Sequence, residues 1–169
     1  MDCNIINGYE YGCRQAIGGI FEYYVGTFSG STSWGVDVNG VITGATSAPT
    51  FYTYQQRTTQ GSLDSTGNFG ENGTVFYSQT AVIELEKMDS ELRNSLLLLG
   101  ASRMFVIAKD NMGVYHLVGQ EFGGEVSAMT AGVGKAKGDT NGAQVTILAD
   151  ERELPTIISD AGFASLTIV

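Results

Sequence analysis

Residues suited to chemistry are scarce in this chain. Histidine occurs once, at His116, and cysteine twice, at Cys3 and Cys13. One histidine and two distant cysteines do not supply the four ligands of a structural zinc site. Two cysteines are also too few for a secreted disulfide scaffold. They read either as two reduced thiols or as one bridge across an N-terminal turn. Basic residues are few as well: 9 Lys and Arg stand against 18 Asp and Glu, a formal net charge of −9. Binding nucleic acid through phosphate neutralisation needs clustered bases, so this balance argues against it. It suits a surface that does not adhere to nucleic acid. No run reaches the roughly 18 apolar residues of a membrane span. The opening MDCNIINGYEYGC lacks the basic start and apolar core of a signal peptide. The expectation is a protein made and used, or packaged, in a cytoplasm.

What the chain does hold is glycine, 23 residues against 2 prolines, together with many Thr, Val, Tyr and Phe. That mixture favours strands joined by tight turns. A hydrophobic content of 43 % is enough for a real core. Turn signals stand at Asn39-Gly40, Asn72-Gly73, Asn111-Met112-Gly113 and Asn141-Gly142, since Asn-Gly supplies the positive φ angles that short hairpins need. Residues 1–30 read as an arm with an apolar stretch, Ile17 to Phe28, able to form a strand. SWGVDVNGVITGA reads as a hairpin, and Thr50 to Gln60 as a strand. RMFVIAKDNMGVYHLVGQ is a second hairpin. Further strands fall near Glu125 to Thr130 and Ala143 to Ala149, and the tail ends in a short apolar stretch. The reading is one domain, mainly β, with seven to nine strands and one clear helix.

The most unusual feature lies between Thr50 and Gly100. The segment Thr74 to about Lys87 reads as one strand of about 14 residues, about 45 Å long, where strands usually have five or six residues. Val75, Tyr77, Ala81, Ile83 and Leu85 share one face. Thr74, Ser78, Thr80, Glu84 and Glu86 share the other, with Phe76 and Val82 as apolar exceptions. Before it, GSLDSTGNFGENG is polar, rich in glycine and without period. It reads as a long loop over 61–73, of the kind that is functional or mobile. The strands on either side, Thr50 to Gln60 and Thr74 to Lys87, would pair as one long hairpin. After the long strand, Asp89 reads as a helix N-cap. Leu92, Leu96 and Leu99 have helical spacing, and Gly100 suits the position just past the helix end.

Catalytic motifs fail one by one. AGVGKAKGD lacks the spacing and the Ser/Thr of a phosphate loop, and its flanks read as strands. His116 lies mid-strand, where a histidine is more often structural, and no G-x-S-x-G elbow accompanies it. Glu84 and Glu86 share a strand face, as a glycosidase pair can, but a solvated acidic face is the plainer reading. Asp150, Glu151 and Glu153 lack the spacing of a calcium loop. The expectation is no enzyme, no cofactor and no metal. A long strand with unpaired edges instead invites association, and symmetry turns such association into rings or filaments.

Several segments carry a resemblance to a known family. They are CRQAIGGIFEYYV, ENGTVFYSQTAVIELEKMDSELRNSLLLLG, RMFVIAKDNMGVYHLVG and GAQVTILADERELP. In this order they resemble the tail tube proteins of long-tailed bacteriophages, whose fold is shared with type VI secretion tube proteins. The resemblance implies a β-sandwich or barrel-like core with one flanking helix. It implies hexameric rings that stack into a hollow tube conducting genomic DNA, with strands of six subunits joined in one inner barrel. On this reading Ser78, Thr80, Glu84 and Glu86 face the lumen, or else a neighbouring subunit. Leu63, Asp64, Asn68, Phe69 and Glu71 lie in a loop reaching the adjacent ring, and Leu92, Leu96 and Leu99 anchor the flanking helix. Implied partners are other copies of the chain, a tape measure protein, a tail terminator, baseplate or tail-tip proteins, and DNA in transit, with no membrane. The implied location is the virion tail, assembled in the host cytoplasm. Readings kept beside it are a tail terminator, a head–tail joining or capsid decoration protein of the virion, and a carbohydrate-binding or adhesin domain.

Overall fold

Strands apolar on both faces and strands apolar on one face sort into different sheets. MFVIAKD, strand β7 (Met104–Asp110), is buried over five consecutive residues, as a central strand covered on both sides must be. Its neighbour β1 (Ile20–Thr27) buries Tyr23, Tyr24 and Val25 in succession. The computed structural model describes residues 8–10, 12–14, 16–57 and 60–169. Over these, β1 and β7 lie inside a seven-stranded sheet with β2 (Ser33–Val36), β3 (Ile42–Thr46), β4 (Phe51–Gln55), β8 (Tyr115–Val118) and β11 (Thr156–Ile158). The order is β2-β3-β11-β8-β7-β1-β4, and only the β3–β11 pairing is parallel. A second sheet has four antiparallel strands in the order β5-β6-β10-β9. They are β5 (Ser62–Phe69), β6 (Val75–Glu86), β10 (Gly142–Glu151) and β9 (Glu125–Gly132).

The two sheets face each other across one core. Tyr23, Val25, Met104, Val106 and Ala108 of the larger sheet meet Ala81, Ile83, Val145, Ile147 and Ala149 of the smaller. The helix α1 (Ser90–Ala101) adds Leu96 and Leu99 to the same core, with Leu92 partly buried beside them. The outer face of the larger sheet has its own core. There Phe51, Phe105, Ile107 and Leu117 pack under Trp34 and under Phe163 of the short helix α2 (Asp160–Ala164). The C-terminal residues then return along β4, with Phe51 N donating to Thr167 O at 2.9 Å and Val169 N to Phe51 O at 2.8 Å. The architecture is a β-sandwich with a flanking helix, mainly β, without a closed barrel.

Several local expectations hold. Asp89 caps α1, its Oδ1 accepting from Leu92 N at 2.8 Å. Gly40, Gly73 and Gly113 adopt the positive φ their turns require. Others are corrected. Residues 61–73 are not a long loop: Ser62–Phe69 is strand β5, paired residue for residue with β6, and only the turn 70–74 remains. As an edge strand with one solvated face and with Ser65 and Gly67 at its inner positions, it shows no apolar alternation. The partner of β6 is therefore β5. Strand β4 pairs with β1 in the other sheet instead. The helix runs through Gly100 to Ala101, and Ser102 in extended conformation caps it. Gly142 is not a turn residue but opens β10, where a Cβ would stand 2.0 Å from Leu85 O. Among the described residues eleven strands and two helices form, against seven to nine strands and one helix expected. Cys13 is exposed, whereas Cys3 lies outside the described residues.

Candidate functional site

The smaller sheet has one dry face and one wet face, and register decides which residue goes where. On β6 the odd-numbered Gln79, Ala81 and Ile83 are buried. The even-numbered Ser78, Thr80, Glu84 and Glu86 point away from the core. Directly paired residues share a face in an antiparallel sheet. Thr80 lies opposite Asp64 on β5 and Leu148 on β10, Ser78 opposite Thr66 and Asp150, and Glu84 opposite Gln144. The four lumen candidates thus do lie together, and the same face gathers Asp64, Asn68, Gln144, Thr146 and Asp150. The five residues expected in an inter-ring loop are divided. Leu63 turns inward and packs against the core. Asp64 and Asn68 join the wet face, while Phe69 and Glu71 lie exposed at and beside the hairpin turn.

Hydrogen bonds tie the wet face across its strands. Asn68 Nδ2 donates to Ser78 Oγ at 2.9 Å, and Ser78 Oγ donates to Asp150 Oδ1 at 2.6 Å. Gln144 Nε2 donates to Glu84 Oε1 at 2.8 Å. The charge pattern is one-sided. The four strands carry Asp64, Glu84, Glu86, Glu125, Asp150 and Glu151 and not one Lys or Arg. Bases reach this sheet only from outside it. Arg57 Nε lies 3.1 Å from Glu86 Oε2, and Arg103 Nη2 lies 2.9 Å from Glu125 Oε1, both exposed pairs. Of the six acids only Glu151 is buried. Its carboxylate accepts from Glu121 N at 3.1 Å and Phe122 N at 2.9 Å, and burial pushes its proton affinity up despite those amides.

Among the described residues the sheet ends openly on both sides: β5 pairs only with β6, and β9 only with β10. Each edge is eight residues long, and seven of the eight residues of β9 are exposed. Polar side chains and a bulge in the β9–β10 register lower the stickiness of these edges without covering them.

The remaining chemical candidates are engaged in local hydrogen bonds. His116 Nε2 lies 3.1 Å from Asp110 Oδ2, and Asp110 Oδ1 also accepts from Met112 N and Val114 N at 2.9 Å. The acid thus organises the β7–β8 turn. Partial burial opposes its charge, but His116 and the two amides outweigh that and hold its carboxyl below the usual range. Asp139 does the same for the β9–β10 loop, accepting from Lys135 N and Ala136 N at 2.7 Å. Among the described residues no group of three or more His, Cys, Asp or Glu is placed to hold a metal ion. No helix among them is long and apolar enough to cross a membrane. Residues missed from sequence are Gln144, Thr146 and Asp150, although the alternation in GAQVTILADE would have placed them on one face. Comparison with protein-family models, with curated proteins and with solved structures finds no match for this chain.

Proposed function

We propose that the chain is a structural subunit of a virion, the building block of a bacteriophage tail tube, in which stacked hexameric rings surround a channel for genomic DNA. One observation carries the reading: a four-stranded sheet that joins an acidic outer face, free of bases on its own strands, to two open edges. Open edges are templates for pairing with another chain. If β9 of one copy pairs with β5 of the next, the contact is heterologous and closes into a ring. Six four-stranded sheets at a strand spacing of about 4.8 Å give a barrel roughly 37 Å across between backbones before tilt is counted. Side chains reaching about 5 Å inward from each wall, half the usual sheet spacing, leave a bore wide enough for a nucleic-acid duplex. The wet face then lines the bore. Its carboxylates, among them Glu84, Glu86, Asp64 and Asp150, repel phosphate and allow DNA to slide rather than stall. The long strand β6 runs the length of that wall.

Tape measure, terminator and tail-tip proteins are the further partners of such a tube. Electron microscopy of the purified protein, with mass measurement alongside, tests the proposal. The expected result is hollow tubes or six-fold rings with a central channel. Single rings that never stack would favour the terminator or joining-protein reading. A protein that stays monomeric at high concentration would favour a decoration protein or binding module.

A further inference from the structure

Three hairpin turns of this chain share one backbone plan and differ in how they are held. They run from Asp37 to Val41, from Gly70 to Thr74 and from Asp110 to Val114. In each the fourth residue is a glycine at positive φ: Gly40 at +79°, Gly73 at +79° and Gly113 at +84°. In each its N–H donates to the carbonyl of the first residue, at 3.1, 3.0 and 3.0 Å. The first residue in turn donates its N–H to the carbonyl of the fifth, at 2.9, 2.8 and 2.9 Å. Two of the turns are braced by a carboxylate. Asp37 Oδ1 accepts from Asn39 N at 2.8 Å and from Val41 N at 3.0 Å, and Asp110 Oδ1 accepts from Met112 N and Val114 N at 2.9 Å. The remaining turn has Gly70 in place of the aspartate, so the amides of Asn72 and Thr74 lack that brace. A Cβ at Gly70 would stand 2.3 Å from Thr74 Oγ1. The threonine thus takes the room that the aspartate uses in the other two turns, where valine stands instead.

An asparagine followed by glycine carries a reaction of its own. The glycine nitrogen can attack the asparagine Cγ, because glycine puts no Cβ in the way of the approach. Three Asn-Gly pairs lie wholly among the described residues, at 39–40, 72–73 and 141–142. They are held to different degrees. The carbonyl of Asn141 accepts from Lys87 N at 2.7 Å and its Oδ1 from Met88 N at 3.2 Å, while Gly142 is paired with Glu86 and Gly132 in the ladder. Asn39 is exposed, but its N–H is held by Asp37. Asn72 is exposed at the hairpin tip and has no aspartate to hold it.

We infer that Asn72–Gly73 is a self-modifying site, where the unbraced hairpin tip converts its asparagine into aspartate and isoaspartate without an enzyme. Gly73 N bonds to Asn72 Cγ, the bond from Cγ to the amide nitrogen breaks, and ammonia leaves with the proton of the Gly73 amide. Water then opens the cyclic imide at either carbonyl. Opening at Cγ gives aspartate at position 72. Opening at the main-chain carbon leaves the chain running through Cβ and Cγ, as isoaspartate. The attack needs the Gly73 N–H to leave Gly70 O, so its rate follows how often the turn opens. A charged acceptor on two amides of a turn makes opening rarer. That ranks Asn72 above Asn39, and both above Asn141. Each product adds a negative charge beside Glu71, and isoaspartate lengthens the turn by a backbone carbon. The ladder begins at Phe69 and Val75, so the change stays at the tip. The reaction belongs to the single chain and holds whether or not copies assemble.

The test is incubation of the full chain in mildly alkaline buffer, with the three sites followed in one sample by peptide mass and by enzymatic methylation of isoaspartate. Asn72 is expected to convert at least about tenfold faster than Asn141, with Asn39 between them. In denaturant the three sites are expected to convert at similar rates, which assigns the ranking to the fold. Gly70→Asp with Thr74→Val rebuilds the braced turn and is expected to slow Asn72 to the rate of Asn39, with circular dichroism as the check on folding. Asn72 converting no faster than Asn39 in the folded chain would overturn the inference. So would the same ranking in denaturant, or a folded Gly70→Asp, Thr74→Val variant that converts as fast as the parent.

Discussion

The larger sheet and the smaller sheet of this sandwich obey different rules. The larger is covered on both faces, by the smaller sheet with α1 on one side and by Trp34, α2 and the C-terminal residues on the other. Its sequences are accordingly continuous apolar runs, FVIA in β7 and YYV in β1. The smaller is covered on one face only, and its strands alternate. A sheet that exposes one face and, among the described residues, both edges is what the proposed assembly would use as a tile. The contrast therefore separates residues that hold the subunit together from residues that would serve an assembly.

Substitutions can sharpen that contrast, beginning with the shared core. Ile147→Ala, fully buried between the sheets, is expected to cost about 2–5 kcal/mol of unfolding free energy in denaturant titration. Thr146→Ala, at the preceding residue and on the wet face, is expected to stay within about 0.5 kcal/mol. Equal losses at both positions would mean that the smaller sheet is not one-sided. Gly142→Ala forces a Cβ against Leu85 O and is expected to cost about 1–3 kcal/mol through displacement of β10 from β6. Asp89→Ala removes the cap of α1 and is expected to cost about 1 kcal/mol.

Two further substitutions probe charge. Burial raises the folded-state proton affinity of Glu151 above its unfolded value. Between those two values the folded protein holds a proton that the unfolded chain has released. The contribution of this group is therefore fully present below the unfolded value and is lost as pH rises through the folded one. Glu151→Gln is expected to remove that decline, so the stability difference between variant and parent should shift towards the variant from acidic to neutral pH. A difference constant with pH would mean that Glu151 carries no such shift. Glu84→Lys with Glu86→Lys is expected to leave monomer stability nearly unchanged, within about 1 kcal/mol. In assembled tubes the same pair is expected to retain duplex DNA at low salt and release it at high salt.

The parts of the fold legible in the sequence are those with strong local causes. The alternation of β6, the Asp89 cap and the Asn-Gly turns are each decided within a few residues of chain. Strand β5 was not legible, because its pairing with β6 is supplied by backbone hydrogen bonds while its side chains, Ser65 and Gly67 among them, show no period. The partner of β6 is not legible for a related reason: proximity in sequence suggests β4, but β4 carries Phe51 into the second core and belongs to the other sheet. The five residues of α2 depend on a tertiary tie, Ser159 N and Oγ both donating to Ile42 O, which no local pattern announces. As for the wet face, its β6 row was readable in isolation. Its completion by Asp64, Gln144 and Asp150 needed the register.

Hydrogen exchange at the two open edges tests the central claim most directly. The outward-pointing amides of β5 and β9, every second residue, should exchange quickly in the isolated chain and become protected on assembly, while their inward-pointing amides and those of β6 and β10, already paired, change little. Protection gained instead along α1, at the exposed Leu97 and Leu98, with the edges still exchanging freely, would contradict the account.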